Sequence, residues 1–191
     1  PAEAARLGCE AYAGDLNPHY YVYPSFYYDA QALLAFAVAH VAALFHSDAL
    51  RHPDAWAQAH LPLFYLAGRA LTALIGTLTV FVVYLIGRMF SLRLGLIAAL
   101  FLAVMAQHVQ QSHYVTVDAP TALFTALAAF FALRALQREG NLRDVALAGV
   151  AAGLAGGTKY NAGIALALPL AATLLSARAW GWRAKQRRGK R

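Results

Sequence analysis

The chain is dominated by long apolar runs that are separated by short polar turns. These runs cover Leu63 to Ile86, Leu94 to Gln107, Thr121 to Leu136 and Val145 to Ser176. A bilayer-spanning helix needs roughly 20 apolar residues, and the first run reaches that length. The polar stretch Gly156 to Asn161 divides the last run into two shorter helices. The pattern predicts an all-α, polytopic membrane helix bundle of about five spans over residues 63–177.

The first 62 residues follow a different pattern. Ala30 to Phe45 is apolar, but its 16 residues are too few to cross a bilayer, so we expect a helix at the membrane surface. The preceding residues 17–29 are rich in tyrosine, which favours the headgroup level. This stretch fits an interfacial aromatic belt, or alternatively an aromatic wall for a sugar or a lipid headgroup. Residues 1–62 are therefore predicted to form an external loop with interfacial helices.

The amino-acid composition indicates whether water or a membrane surrounds the protein. Of the 191 residues, 60% are apolar and 13% are charged, whereas charged residues make up roughly a quarter of ordinary globular proteins. This balance predicts an integral, multi-pass protein of the inner or plasma membrane. The single cysteine, Cys9, excludes an internal disulfide and a cysteine-based metal site.

The basic residues are segregated along the chain. If the Arg88–Arg93 turn is cytoplasmic, alternation also places Arg134–Arg143 and residues 178–191 in the cytoplasm, as the positive-inside rule predicts for short loops. All seven histidines then lie outside or at the outer membrane edge. We interpret residues 178–191 as a basic cytoplasmic tail that contacts anionic membrane lipids. Nucleic-acid binding is disfavoured because the basic run directly follows an apolar helix.

Two isolated charges stand at predicted helix junctions on the outer side. Asp118 lies between two apolar runs, where a charge is costly unless it faces water, a cavity or a ligand. Asp118 could alternatively begin a helix, with Pro120 in the first turn. Lys159 lies in the polar break of the last run and could hold a phosphate as a point charge, or extend its ammonium to the membrane surface.

The neighbouring polar residues complete a candidate site. His113, together with His108, flanks Asp118, and the first loop supplies Asn17, His19 and Tyr23. The histidines could equally be polar residues at an interfacial helix end. They carry no sequence signature of a metal site, so no metal ligand is assigned. A carboxylate and an ammonium that converge with aromatic rings would suit an anionic lipid phosphate and a sugar.

At these residues the sequence resembles a known family. The segments that carry the resemblance, in order, are Gly14–His19, Tyr23–Tyr28, Leu85–Phe90, the turn around Asp118, and Gly153–Tyr160. They resemble the amino-terminal half of GT-C glycosyltransferases, with the dolichyl-phosphate-mannose protein mannosyltransferases as the nearest branch and the bacterial aminoarabinose lipid A transferases as a similar one. The order and spacing of these segments cover nearly the whole chain.

The resemblance implies a membrane enzyme that transfers a sugar from a polyprenyl-phosphate donor to a protein or lipid acceptor on the outer membrane face. It assigns Asp118 to the family's second acidic position and Lys159 to its Thr-Lys notch. Pro24 matches the conserved proline of the external loop. Relatives often carry a Lys or His before this proline, and the aminoarabinose branch carries a Glu-Lys, where this chain has Val22 and Tyr23. No cofactor is assigned with certainty, and a divalent metal is left open.

The resemblance also implies that an Asp-Glu pair precedes the position of Pro1 and that further helices follow the tail. We therefore expect this chain to be an amino-terminal fragment without transferase activity of its own. A non-catalytic transporter or flippase half is the alternative function, because a broken Gly-rich helix with Lys159 at the break also suits a transport site.

Overall fold

The chain folds into a helical bundle in a computed structural model that describes residues 23–44, Trp56 and 59–176. The helices are α1 (Phe26–Ala43), α2 (Leu61–Arg88), α3 (Leu92–Val104), α4 (Ala106–His113), α5 (Asp118–Gln137), α6 (Leu142–Thr158) and α7 (Tyr160–Ser176), of which α7 begins as a 3-10 helix. No strand occurs within those described ranges. The predicted all-α class is confirmed.

Two helices, α2 and α5, are long and apolar enough to cross a membrane. The pair α3 and α4 would form a third span, bent by 60° at Met105. Helices α6 and α7 are shorter than the length required of a membrane span by the same criteria. The domain limits at residues 62 and 177, and the number of about five spans, stay predictions.

Helix α2 is the centre of the bundle and contacts α1, α3, α4 and α5. Its buried face repeats mainly every four residues, which is one helical turn. The members of this stripe are Phe64, Gly68, Thr72, Gly76, Thr79 and Val82. Small residues in such a stripe let neighbouring helices approach closely, which is the usual basis of helix packing in membranes.

Alanine plays the same role where α5, α6 and α7 meet. Ala128 and Ala132 of α5 are buried against a run of alanines in α6 and α7, which includes Ala148, Ala152 and Ala172. Methyl groups at these positions leave little side-chain volume between the helices. Lys159 lies at the junction of α6 and α7, and both helices pack closely against α5, so this packing positions Lys159.

Polar turns join the helices at the end of the bundle opposite Lys159. The side chain of Ser91 caps α3 by accepting a hydrogen bond from Leu94 N at 3.1 Å, and Asn141 caps α6 through Arg143 N at 3.0 Å. Between α5 and α6 the backbone passes through positive φ at Glu139 (58°) and Gly140 (82°). The turn predicted at Arg88–Arg93 is confirmed. Of the stretch Arg134–Arg143 that was predicted to connect two helices, only residues 138–141 form the turn, because both flanking helices continue into it.

Helix boundaries differ from the sequence expectation at two places. Helix α1 begins at Phe26, four residues before the predicted start, because Tyr27 and Tyr28 are buried against Val115 and Val117 and this packing outweighs weak helix propensity. The polar segment expected as a turn from Gln107 onward contains α4.

Candidate active site

The ends of two helices bring Asp118 and Lys159 together. Asp118 is the first residue of α5, and Lys159 lies in the one-residue break between α6 and α7. Helices α5 and α6 run antiparallel and pack along their length, so the start of one lies beside the end of the other. A separation of 41 residues in sequence thereby becomes direct contact.

The Lys159 ammonium donates a hydrogen bond to the Asp118 carboxylate, with 2.6 Å between Nζ and Oδ1. The side chains are 28% and 37% exposed, so a ligand can reach both partners. The N-cap position of α5 belongs to Val117, which makes no side-chain cap hydrogen bond. Asp118 thus begins α5 without capping it, and its place in the first turn keeps the carboxylate near the positive helix end. The same carboxylate also pairs with Lys159 across the bundle.

The pair also affects the protonation of the lysine. The hydrogen bond to Asp118 is the main reason why the pKa of Lys159 is raised above its usual value of 10.5, and partial burial opposes this effect. The Lys159 side chain is consequently a cation throughout the neutral pH range. A fixed, partly exposed ammonium at a helix break can bind an anionic ligand group.

An aromatic ring completes this site. The Nζ atom of Lys159 lies 5.9 Å from the ring centroid of Tyr23, a cation–π geometry. Tyr23 packs against the buried cluster of Tyr27, Tyr28, Val115 and Val117. Because Val117 directly precedes Asp118 and Val115 lies three residues before it, the same cluster connects the ring to the backbone that carries the carboxylate.

The start of α1 is held on this end of the bundle by two kinds of contact. Phe26 meets Phe124 of α5 edge to face, with 5.7 Å between ring centroids. The hydroxyl of Tyr27 lies 2.9 Å from that of Thr72, and both residues are buried. Helix α1 thereby positions Tyr23 next to the Asp118–Lys159 pair, and Pro24, the following residue, is half-buried.

The structure does not bring every predicted site residue to this pair. His113 is exposed, and its Nδ1–H donates to the Val109 carbonyl at 2.7 Å on its own helix. Together with His108 it lines a groove between α2, α3 and α4. Asn17 and His19 lie outside the described residues, so their predicted place in the site stays untested.

The arrangement of histidines and acidic side chains bears on the possible divalent metal. In the part of the chain that the structure describes, no three His, Cys, Asp or Glu residues come together as a ligand set. The nearer carboxylate oxygen of Asp118 is occupied by Lys159. The possible divalent metal stays a prediction.

Sequence reasoning missed Tyr27 and Thr72, which connect α1 to α2. Thr72 belongs to the small-residue stripe of α2, and its hydroxyl was not distinguishable in sequence from the other threonines of this helix. Tyr27 was grouped with an aromatic belt rather than with the bundle. The spacing of Gly68, Thr72 and Gly76 was the available signal that another element packs closely there.

Comparison with known proteins adds independent information. Residues 65–187 match the family described as dolichyl-phosphate-mannose-protein mannosyltransferase. The chain belongs to this mannosyltransferase family. No curated protein and no solved structure matches the chain.

Membership in the mannosyltransferase family confirms the predicted resemblance and supports a membrane glycosyltransferase over a transporter or flippase half. The matched region contains both Asp118 and Lys159. It also contains α5 and all but the first four residues of α2, which among the described helices are the two long and apolar enough to cross a membrane. The family and the apolar helices together indicate an integral membrane protein of the glycosyltransferase class.

Proposed function

We propose that this chain contributes to the transfer of a sugar from a polyprenyl-phosphate donor to a hydroxyl or amine of a protein or lipid acceptor. The observation that carries the proposal is the contact between Asp118 and Lys159 at the open ends of two packed helices. The contact combines an anion-binding group with a proton-accepting group, and both partners remain partly exposed.

Lys159 is proposed to bind the donor phosphate. Its ammonium is charged at neutral pH, since the usual lysine pKa of 10.5 already lies well above that range and the hydrogen bond to Asp118 raises the pKa of Lys159 further. An ammonium holds phosphate as a point charge without a demanding geometry, and it stabilises the additional negative charge that develops as the phosphate departs. The aromatic ring of Tyr23 lies beside the ammonium and would contact the sugar or the lipid part of the donor.

Asp118 is proposed to accept the acceptor's proton. A donor phosphate competes for the Lys159 ammonium and so releases the carboxylate from its present partner. The acceptor oxygen or nitrogen then forms a bond to the anomeric carbon from the face opposite the phosphate. The bond from that carbon to the phosphate oxygen breaks with its electron pair, and the acceptor's proton passes to Asp118. Polyprenyl phosphate leaves, and the anomeric configuration is inverted.

Most of the other predicted substrate-binding residues have supporting roles in this proposal. Pro24 would hold the loop that carries Tyr23, whereas His113 has no role in this proposal because it lines the groove beside α2. Asn17 and His19 would donate hydrogen bonds to sugar hydroxyls. No step of the proposed reaction depends on a metal ion.

Kinetics of two variants in the natural protein test the proposal, with dolichyl-phosphate mannose as donor. Asp118→Asn keeps the size of the side chain and removes its charge, so we expect turnover to fall roughly 10²- to 10⁴-fold, the usual scale for a general base. Lys159→Met keeps the aliphatic stem. If Lys159 binds phosphate equally in the ground and transition states, the donor KM should rise more than kcat falls.

The matched control is Asp29→Asn, which removes an exposed carboxylate from the first turn of α1. Its kinetic constants should equal those of the wild type. Unchanged turnover in Asp118→Asn, together with a lowered melting temperature, would leave only a structural role for Asp118 and would reject the proposed base.

We also propose that the Lys159 end of the bundle faces the outside and the Arg88 and Arg138 turns face the cytoplasm. The segregation of basic residues supports this orientation. Single cysteines at His60 and at Arg143, in a Cys9→Ser background, would report it in intact cells. Impermeant thiol reagent should label position 60 and spare position 143. The opposite labelling pattern would reverse the proposed topology.

A further inference from the structure

A buried glutamine of α1, Gln31, lies where three parts of the chain meet. It is 3% exposed and follows the buried Tyr27 by one helical turn. Its side chain reaches Gly68 of α2, and Val115, from the segment between α4 and α5, reaches the same glycine. Burial of an amide costs free energy unless specific contacts compensate for the lost water. The contacts of Gln31 therefore indicate what a polar residue does at this junction.

The missing side chain of Gly68 makes the junction possible. A Cβ atom at Gly68 would lie 2.9 Å from Oε1 of Gln31 and 3.1 Å from Cγ2 of Val115. Both distances start from one point on α2, so the amide and the valine side chain are neighbours there. Gln31 and Val115 thus occupy the space that any larger residue at position 68 would fill. A shift of either side chain opens room for the other.

Hydrogen bonds hold the Gln31 amide at this point. Its side chain hydrogen-bonds to Tyr27. The Tyr27 hydroxyl lies 2.9 Å from that of Thr72, which in turn donates to the Gly68 carbonyl at 2.8 Å. The polar contacts therefore begin and end at the same glycine of α2. Movement of the amide away from Gly68 would break them inside an apolar surrounding, which favours the observed position.

Val115 connects this junction to the candidate active site. It is 2% exposed and lies three residues before Asp118, a distance that extended backbone covers in about 10 Å. Within this short segment the Thr116 N–H donates to the Tyr114 carbonyl at 2.9 Å, which reduces its freedom further. A displacement of Val115 consequently reaches the first residue of α5. The position of Val115 therefore affects how closely Asp118 approaches Lys159.

We propose that Gln31 is a positioning residue for the pair of Asp118 and Lys159. Its side chain fills the junction at Gly68, holds Val115 in place and thereby keeps the carboxylate at hydrogen-bond distance from the ammonium. Gln31 acts through Val115 and is not a catalytic residue. The assignment concerns the geometry of the pair, so it goes beyond the proposed reaction and does not depend on it.

The reactivity of Lys159 tests this inference. Gln31→Ala removes the part of the side chain that fills the junction, so Val115 and Asp118 should be held less firmly. Lys159 would then spend more time without its partner, and its acylation at pH 8–9 should become roughly five-fold faster, the lower end of ordinary coupling between two sites. Peptide mapping of the full chain in detergent would measure the rate. A wild-type rate in Gln31→Ala would overturn the proposal.

Two matched variants define what the side chain contributes. Gln110→Ala deletes the same atoms from an exposed glutamine of α4 and should leave the acylation rate of Lys159 unchanged. Gln31→Met keeps the length and volume of the side chain, so it should restore a rate close to that of the wild type. Equal acceleration in Gln31→Met and Gln31→Ala would show that the filled junction is not what positions Asp118.

A double variant separates positioning from a general loosening of the bundle. If Gln31 acts through Asp118, then Gln31→Ala should cause no further acceleration in an Asp118→Asn background. Equal acceleration in both backgrounds would reject the proposal, because loosening would expose Lys159 regardless of its partner. Gly68→Ala displaces the same amide from the side of α2 and gives the same test if Gln31→Ala fails to fold. Every readout is a chemical rate at Lys159, so failure of the proposed reaction would not change these results.

Discussion

The hydroxyl of Tyr27 donates to the hydroxyl of Thr72, with 2.9 Å between the two oxygens. The direction follows from the second bond of Thr72, whose own proton goes to the Gly68 carbonyl at 2.8 Å. Both residues are buried. This bond joins α1 to α2 and determines where α1 presents Tyr23 to Lys159.

Thr72→Val is expected to destabilise the attachment of α1, because it keeps the side-chain shape and leaves the buried Tyr27 hydroxyl without this partner. Because the Gln31 side chain also hydrogen-bonds to Tyr27, the expected cost is that of one lost hydrogen bond, about 0.5–1.5 kcal/mol. Thr79→Val is the matched control, since Thr79 is also buried in α2 and its hydroxyl bonds only to the Ile75 carbonyl of its own helix in the contacts described. Thermal unfolding in detergent should separate the variants, and equal melting temperatures would contradict the proposed attachment.

Lys159 should react with amine reagents faster in Asp118→Asn than in the wild type at pH 8–9. The hydrogen bond to Asp118 raises the pKa of Lys159, so its removal increases the fraction of free amine and uncovers the nitrogen. Peptide mapping after acylation would measure the rate, with Lys185 and Lys190 as internal references.

The pH dependence of the pair follows from the same shift. Since the pKa of folded Lys159 lies above its unfolded value of 10.5, the stabilisation is complete below pH 10.5 and is lost as the pH rises through the folded pKa. Stability contributed by this pair should therefore be constant between pH 6 and 9. An unchanged acylation rate in Asp118→Asn would show that the two side chains do not pair in solution.

Arg134→Met should destabilise the bundle more than Arg138→Met. Asp144 is 1% exposed, and Arg134 contacts its Oδ1 at 2.6 Å, whereas Arg138 is 3.7 Å away and 58% exposed. Loss of Arg134 leaves a buried carboxylate with only the distant partner. Arg134 is itself partly exposed, so we expect about 2 kcal/mol, below the 3–5 kcal/mol of a fully buried pair, and under 1 kcal/mol for Arg138. Chemical denaturation would measure both, and similar losses would contradict this ranking.

Gly87→Ala should weaken the contact between α2 and α3. An added methyl at Gly87 would lie 2.7 Å from the Gly95 Cα, and backbone cannot move aside as a flexible side chain can. We expect a loss of about 1–3 kcal/mol, typical of overpacking. Gly149→Ala is the control, because its methyl meets nothing within 4 Å and alanine is a better helix former by up to about 1 kcal/mol. The two variants should shift the melting temperature in opposite directions, and a shared direction would contradict the close approach.

The candidate site was predictable in part. Asp118 and Lys159 were identified because isolated charges at the ends of apolar runs are costly and therefore conspicuous in sequence. Tyr23 was included among the loop residues, and it does lie beside Lys159. His113 was grouped with Asp118 by its nearness in sequence, but the bend at Met105 directs it to the groove beside α2. Sequence distance could not reveal that bend.

The sequence alone determined the helical class, the membrane as solvent and the turns near Arg88 and Arg138. These features depend on the length of apolar runs and on local charge, which every short window of the chain contains. Only the tertiary structure decided that Asp118 pairs with Lys159, that Tyr27 bonds to Thr72, and that α4 is a helix packed on Gly76. Those contacts join residues 32 to 45 positions apart. They depend on how small side chains let helices approach, which is a property of pairs of helices and not of any single segment.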